Sequence, residues 1–335
     1  MIKIAVLGCG RIGRMHAENI HHHPRATLSG VYDINRGASK EVADELGVAE
    51  YEKAEDVFQS EDVDAVLIAS STPTHADFIE RAVKARKPVL CEKPIDLSLD
   101  RARVCADAIR GTDVPIMIGF ARRFDKGHAA VRNAIESGEI GEVHQVVITS
   151  RDPDIAPDSY LRESGGIFRD MSIHDFDLAR YIMGEEFETV SAAGARFVSP
   201  RLMEECGDYD TVTATMTTGS GRQCVILNSR RAVYGYDQRV EAFGSAGMAV
   251  SENRTEHNAR IYASNYTGKA APLLNFFIER YSQAFISEIS AFVDSVADGT
   301  RPPVGLEDGV EAILLAEAAM LSVREGRLVH KGELG

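Results

Sequence analysis

The chain opens on a short apolar run, residues 2–7, followed by a segment over 11–22 whose apolar positions recur at helical spacing. A second apolar run then ends at Asp33. The same alternation continues: a helix over 37–47, a buried strand over 63–69, a helix over 75–87, a strand over 88–91, a helix over 98–110 and a strand over 115–119. Strands that are apolar almost throughout and separated by amphipathic helices predict a parallel sheet covered on both faces. The pattern stops near Phe120. Beyond it, residues 142–149, 189–198, 211–218, 223–230 and 238–243 are strand-like, mostly without helices between them, which predicts an antiparallel or mixed sheet. One amphipathic helix over 171–183 interrupts that series, and two long helical stretches, 273–298 and 306–325, close the chain. The expected division is therefore an N-terminal domain over 1–120 and a second α/β domain over 121–335.

The turn after the first strand reads Gly8-Cys9-Gly10-Arg11-Ile12-Gly13, with Asp33 twenty positions further on. Strand, glycines, helix and acid together form a Rossmann dinucleotide fingerprint. Gly8 permits the tight turn, Gly10 lets a pyrophosphate approach the backbone, and Gly13 lets the helix lie close to the sheet. Arg11 and Ile12 start the helix whose N–H groups and dipole face the phosphates. Asp33 suits the ribose hydroxyls and repels a 2′-phosphate, so NAD is expected over NADP. Arg36, near the ribose end, could weaken that preference by pairing with a 2′-phosphate, although such an arginine is more often a solvated loop charge.

Composition narrows the partners. A formal charge of −14 disfavours nucleic acid and anionic membrane. No apolar stretch reaches the length of a membrane span, and the N-terminal run is too short for a signal peptide, so a cytoplasmic protein is expected. Cys9, Cys91, Cys105, Cys206 and Cys224 are scattered, without a CxxC pair, and read as reduced thiols.

In an open parallel sheet the ligand lies beyond the carboxyl ends of the strands. Ser70, Thr72 and His75 follow one strand and are candidates to line the cofactor; a simple turn with Thr74 as helix cap is the plainer alternative. Glu92 and Lys93 follow the next strand. A lysine beside a nicotinamide polarises a substrate hydroxyl, whereas most lysines are merely solvated. In the second domain Asp170, His174 and Asp177, spaced i, i+4 and i+7, are expected on one helix face, with His174 suited to take an alcohol proton and a carboxylate to orient it. No second histidine or cysteine stands at ligand spacing, so no metal is expected there. His21, His22 and His23 splay around a helix end and read as surface residues.

With these pieces placed, nearly the whole chain resembles the glucose-fructose oxidoreductase and inositol dehydrogenase (Gfo/Idh/MocA) family. The resemblance rests on the fingerprint, on Glu92-Lys93-Pro94, on residues 119–125 (GFARRFD) and on residues 164–177 (SGGIFRDMSIHDFD). The last two look like inositol 2-dehydrogenases. It implies a Rossmann domain joined to an α/β domain with a large, open, mostly antiparallel sheet, and a homotetramer formed through that sheet. It also implies Lys93, Asp170 and His174 as catalytic residues, Arg123 at the inositol pocket, and Asp152 and Tyr236 as substrate contacts. The implied activity is NAD-dependent oxidation of a secondary hydroxyl of a cyclic polyol, foremost myo-inositol. Another inositol stereoisomer, an aldose, or a non-catalytic NAD sensor are the alternatives. Ala121 stands where the family commonly has Asn or Met.

Overall fold

The structure, a computed structural model, describes residues 1–335. It divides into two compact units: Met1–Ala121 with Gln283–Ile313, and Arg122–Ser282 with Leu314–Gly335. The first junction falls where the alternating pattern ends. The assignment of all of 121–335 to the second domain is corrected, because Gln283–Ile313 packs with the first unit. There the Ile118 N–H donates to the Val304 carbonyl, and Gly309 lies against Ile95 and Ile118.

The first unit is built on six parallel strands: β1 (Ile2–Leu7), β2 (Ala26–Tyr32), β3 (Ala49–Glu50), β4 (Ala65–Ile68), β5 (Val89–Glu92) and β6 (Ile116–Gly119). Their order is 3-2-1-4-5-6. The chain therefore reverses direction of growth between β1 and β4, and ligands of such sheets bind at that crevice. Every residue of β4 is buried, as expected for a strand covered on both faces. The helix Arg11–His21 buries Gly13, His16, Ala17 and Ile20, a single stripe at i, i+3, i+4 and i+7. The helix Arg36–Leu46 starts where the Asn35 side chain accepts the Gly37 N–H and ends at left-handed Gly47. The helix expected over 75–87 stops at Lys84, and the Lys87 ammonium turns inward to donate to the Ser60 and Val63 carbonyls.

The second unit holds a seven-stranded sheet. Its strands are β7 (Val143–Arg151), β8 (Phe187–Ala195), β9 (Thr211–Thr218), β10 (Gln223–Ser229), β11 (Asp237–Gly244), β12 (Met248–Ser251) and, late in the chain, Val329–His330. Only the β7–β10 pair is parallel. Alternation along β9 and β11 sends Val212, Ala214, Met216, Val240 and Ala242 into a core with Phe176, Ile182 and Phe187. Thr213, Thr215, Glu241 and Phe243 emerge on the opposite, open face. Where one interrupting helix was anticipated, Lys126–Glu136, Asp158–Glu163 and Pro200–Cys206 form as well. Asp125 caps the first of them by accepting the Gly127 and His128 N–H groups, and Gly207 ends the last in the left-handed region. The penultimate helix begins at Phe277, not near 273, because Leu273 bridges to Thr255 and the Leu274 N–H donates to Arg254.

Candidate active site

At the β1–β4 crevice the three glycines have distinct surroundings. Gly8 has φ +104°, and a Cβ there would stand 2.4 Å from the Ala69 carbonyl. A Cβ on Gly13 would stand 1.8 Å from the Gly8 oxygen, so only glycine lets the helix begin this close to the strand. Gly10 is exposed, with nothing within 4 Å of the space a Cβ would take, as close backbone approach by a pyrophosphate demands. The Asp33 carboxylate accepts the Cys9 N–H at 2.6 Å and the Asn35 N–H at 2.7 Å, which fixes its direction at the end of β2. Arg36 pairs with Glu50 at 2.9 Å, and Ser39 donates to the same carboxylate. The guanidinium that would have favoured NADP is thus engaged elsewhere. Open backbone, helix N-terminus and oriented acid together fit a dinucleotide whose ribose carries no 2′-phosphate.

Ser70, His75 and Glu92, also placed at this site by sequence, have partners within the protein. The Ser70 and Thr74 hydroxyls bond each other at 2.6 Å, and Thr74 donates to the Ser71 carbonyl; Thr74 makes no cap bond. Thr72, which begins the 3-10 turn Thr72–Thr74, and Lys93 are half-buried. His75 is buried, not open to a cofactor: Nδ1 faces the Pro94 carbonyl at 2.7 Å and Nε2 the Ser70 carbonyl at 2.9 Å. Burial lowers its pKa while the two carbonyls oppose that shift. It struts two strand-end loops. Glu92 accepts from His16 Nε2 at 2.8 Å.

In the second unit Gly165 and Gly166, both at positive φ, lead into a π-helical turn, Phe168–Ser172, which runs directly into the helix Ile173–Met183. Asp208 accepts the Ile167 N–H and so anchors the start of that turn. Asp170 lies in the wide turn. It accepts from the Tyr160 hydroxyl at 2.7 Å and from the buried Arg230 at 3.2 Å, and Arg230 also reaches Asp208 at 3.5 Å. His174 follows, half-buried, in the first turn of the α-helix.

Of the three acid–base candidates, Asp170 lies in the π turn and His174 and Asp177 lie in the α-helix that follows it. Asp177 is buried and takes a bidentate grip from Arg123, at 2.8 Å from Nε and 2.5 Å from Nη2. Arg123 also stacks over Tyr181. It is a clamp on Asp177, and the charge of its neighbour Arg122 reaches Asp152. Arg122 pairs with Asp175 and donates to Ser150 at 2.8 Å. Burial opposes its charge, but Asp175 together with Tyr281, Tyr236 and Asp152 outweighs that. Asp175 further accepts from Ser150 and Asn228.

Asp152 is held at the end of β7 by its N–H to Ser229 and by its carbonyl, which accepts the Ala232 N–H. Burial, and then the negative Asp170, push its carboxyl up to about 6, against the pull of Arg230 and Arg122. Tyr236 is buried edge-on to Tyr281, and burial raises its phenol. Asp237 fixes that segment by accepting from Tyr234, Arg239 and Asn253.

Sequence reasoning passed over Asp175, Arg122, Arg230 and Tyr160. Asp175 and Arg122 had a legible signal, since each stands beside a residue singled out by sequence, His174 and Arg123, whereas Arg230 in Asn228-Ser229-Arg230-Arg231 reads as a loop charge. Tyr160 had none.

Residues 2–120 match the model of an oxidoreductase family with an NAD-binding Rossmann fold, and residues 128–250 match the GFO/IDH/MocA C-terminal domain. The chain belongs to the GFO/IDH/MocA oxidoreductase family. Its first unit is accordingly an NAD-binding Rossmann domain. Among relatives, the chain is 43% identical to inositol 2-dehydrogenase from Rhizobium meliloti, with 98% of each chain covered. It is 42% identical to myo-inositol 2-dehydrogenase from Thermotoga maritima, with 99% of each covered. It is also similar to the crystal structure of scyllo-inositol dehydrogenase from Lactobacillus casei with NAD(H) and scyllo-inositol bound. There the TM-score is 0.92 and the identity 30%, with 99% of each chain covered.

Because Asp33 stands at the end of β2 and holds the Cys9 N–H of the fingerprint, Asp33→Ala should weaken NAD binding by roughly tenfold to a hundredfold. The preference over NADP should narrow in the same variant. Calorimetric titration with each dinucleotide checks this, and an unchanged NAD affinity would remove Asp33 from the cofactor site.

Proposed function

We propose that the protein is an NAD-dependent dehydrogenase that oxidises a secondary hydroxyl of an inositol, myo-inositol foremost, to the 2-keto product. The observation that carries this reading is Asp170, oriented by Tyr160 and Arg230 and followed one turn later by His174, in a chain that matches inositol dehydrogenases from end to end. A neutral polyol suits such a site. Its hydroxyls need acceptors and donors, which Asp152, Asp170 and Tyr236 supply, and it brings no charge to balance.

When bound, held by Gly8, Gly10, Gly13, the N-terminus of the Arg11–His21 helix and Asp33, NAD supplies the hydride acceptor. The protein's residues do the rest. His174 removes the hydroxyl proton as general base. Lys93 donates to the same oxygen and stabilises the negative charge that grows there as the carbon is oxidised. Asp170 stabilises the imidazolium that results and accepts from a ring hydroxyl. Asp152 accepts from another hydroxyl, so its charge state matters to binding.

The reading extends to a cytoplasmic homotetramer that associates through the open sheet face bearing Thr213, Thr215, Glu241 and Phe243. No helix is long and apolar enough to cross a membrane. Light scattering on the purified protein tests the assembly, and a monomer there would overturn it.

NADH formation measured across myo-inositol, scyllo-inositol, other stereoisomers and aldoses should give its highest kcat/KM on myo-inositol. Lys93→Ala and His174→Ala should each lower kcat by ~10²–10⁴-fold with the fold intact. Silence on every polyol despite NAD binding would point instead to a sensor.

For Asp152 the folded pKa, about 6, lies above the unfolded value near ~3.9. Its contribution to stability is therefore complete below the unfolded value and is lost as pH rises through 6. Asp152→Asn should melt like the parent in acid and above it at neutral pH, with a raised KM for inositol. Equal melting temperatures at neutral pH would contradict the buried-carboxylate account.

A further inference from the structure

Three titratable side chains of the first unit converge behind Lys93. His16 comes from the fingerprint helix, Glu92 ends β5, and Glu288 comes from the helix Phe277–Asp298, within the Gln283–Ile313 segment. One ligand atom from each lies within 4.8 Å of the other two. Glu288 is wholly buried, and neither of its carboxyl oxygens has a hydrogen-bond partner; the buried Nδ1 of His16 has none either. His16 is backed edge-on by Phe285, which leaves Nε2 to meet Glu92 at 2.8 Å.

Two carboxylates this close in a dry site cannot both stay ionised. An ionised Glu288 would be a buried charge without a cation, which costs far more than holding a proton. Burial and the neighbouring Glu92 both push the Glu288 carboxyl well up. Glu92 is the less buried of the two acids and accepts from His16, so the negative charge belongs on its side.

We propose that His16, Glu92 and Glu288 form a positioning cluster, holding one proton and one negative charge between the two carboxyls, that fixes the Lys93 backbone for the reaction above. The wall at β6 supports it: a Cβ on Gly119 would stand 3.1 Å from Glu92 Oε2, so glycine there makes room for the carboxylate. On the far side of Lys93, the Pro94 carbonyl meets His75 Nδ1 at 2.7 Å. Lys93 thus sits between two residues each tied to a buried imidazole. Glu288 acts through Glu92, and Glu92 through the chain, so neither need touch substrate.

This rests on Lys93 acting as described under the proposed function, and the test separates the two. In the purified protein without substrate, the infrared difference spectrum of wild type against Glu288→Gln should show the C=O stretch of a protonated carboxylic acid at neutral pH. Glu288→Ala should lower kcat by roughly tenfold or more with little change in KM for NAD, as expected when a reacting group is misplaced. Glu288→Gln, which keeps the neutral shape and a donor, should restore most of that loss, whereas Glu92→Gln, which removes the charge, should not be restored. The imidazole and two carboxyls are also a donor set for a divalent cation, so metal analysis of the purified protein belongs to the test. A missing acid band, a Gln variant as impaired as the Ala variant, or stoichiometric metal would each overturn the proposal. If Glu288→Ala does not fold, the infrared band and the Gln variant still decide. Wild type without turnover on any polyol would remove the functional reading, and the band alone would then judge the cluster.

Discussion

A charge taken out of water must be met by an opposite charge or surrendered as a proton, and the candidate site is arranged around that constraint. In the second unit the buried arginines each have an acid, Arg122 with Asp175, Arg280 with Asp125, and Arg230 with Asp170 and Asp208, and the partly buried Arg123 has Asp177. These pairs place the catalytic candidates as well as satisfying themselves. Arg230 cannot neutralise Asp170 and Asp208 without drawing together the π turn and the segment that anchors its start. Arg280 meets an Asp125 that also caps the helix Lys126–Glu136. The first unit resolves the same constraint differently, since Glu288 faces another acid and is left to keep a proton.

The parallel sheet was legible because its signals are local. Continuous apolar strands, helical stripes and a glycine turn each reveal themselves within a dozen residues, and Gly8, Gly10, Gly13 and Asp33 stand where those patterns put them. The second sheet was legible as strands but not as an order, because nothing in the alternation of β7 and β10 announces that they pair in parallel. The short edge strands β12 and Val329–His330 carry too few residues to show a period.

Side-chain partnerships were the least legible. Arg122 and Arg123 are adjacent and chemically identical, and which acid each of them meets depends on where the helix Ile173–Met183 places Asp175 and Asp177. The spacing of Asp170, His174 and Asp177 was read at a uniform helical pitch. Five π-helical residues change that pitch, and no residue type in the stretch signals it. His75 looked available because it follows a strand end, yet its ring is enclosed by the Ser70 and Pro94 carbonyls.

The return of Gln283–Ile313 to the first unit bears on how this architecture could be recombined. A gene fragment ending at residue 121 would encode all six strands of the Rossmann sheet yet lack the Val304 carbonyl that meets Ile118, the helix Leu306–Glu325 whose Gly309 packs on Ile95, and Glu288 itself. The nucleotide-binding module is therefore discontinuous in the gene. Exchange between relatives would have to carry two separate stretches together, which ties the inheritance of cofactor handling to that of the C-terminal helices.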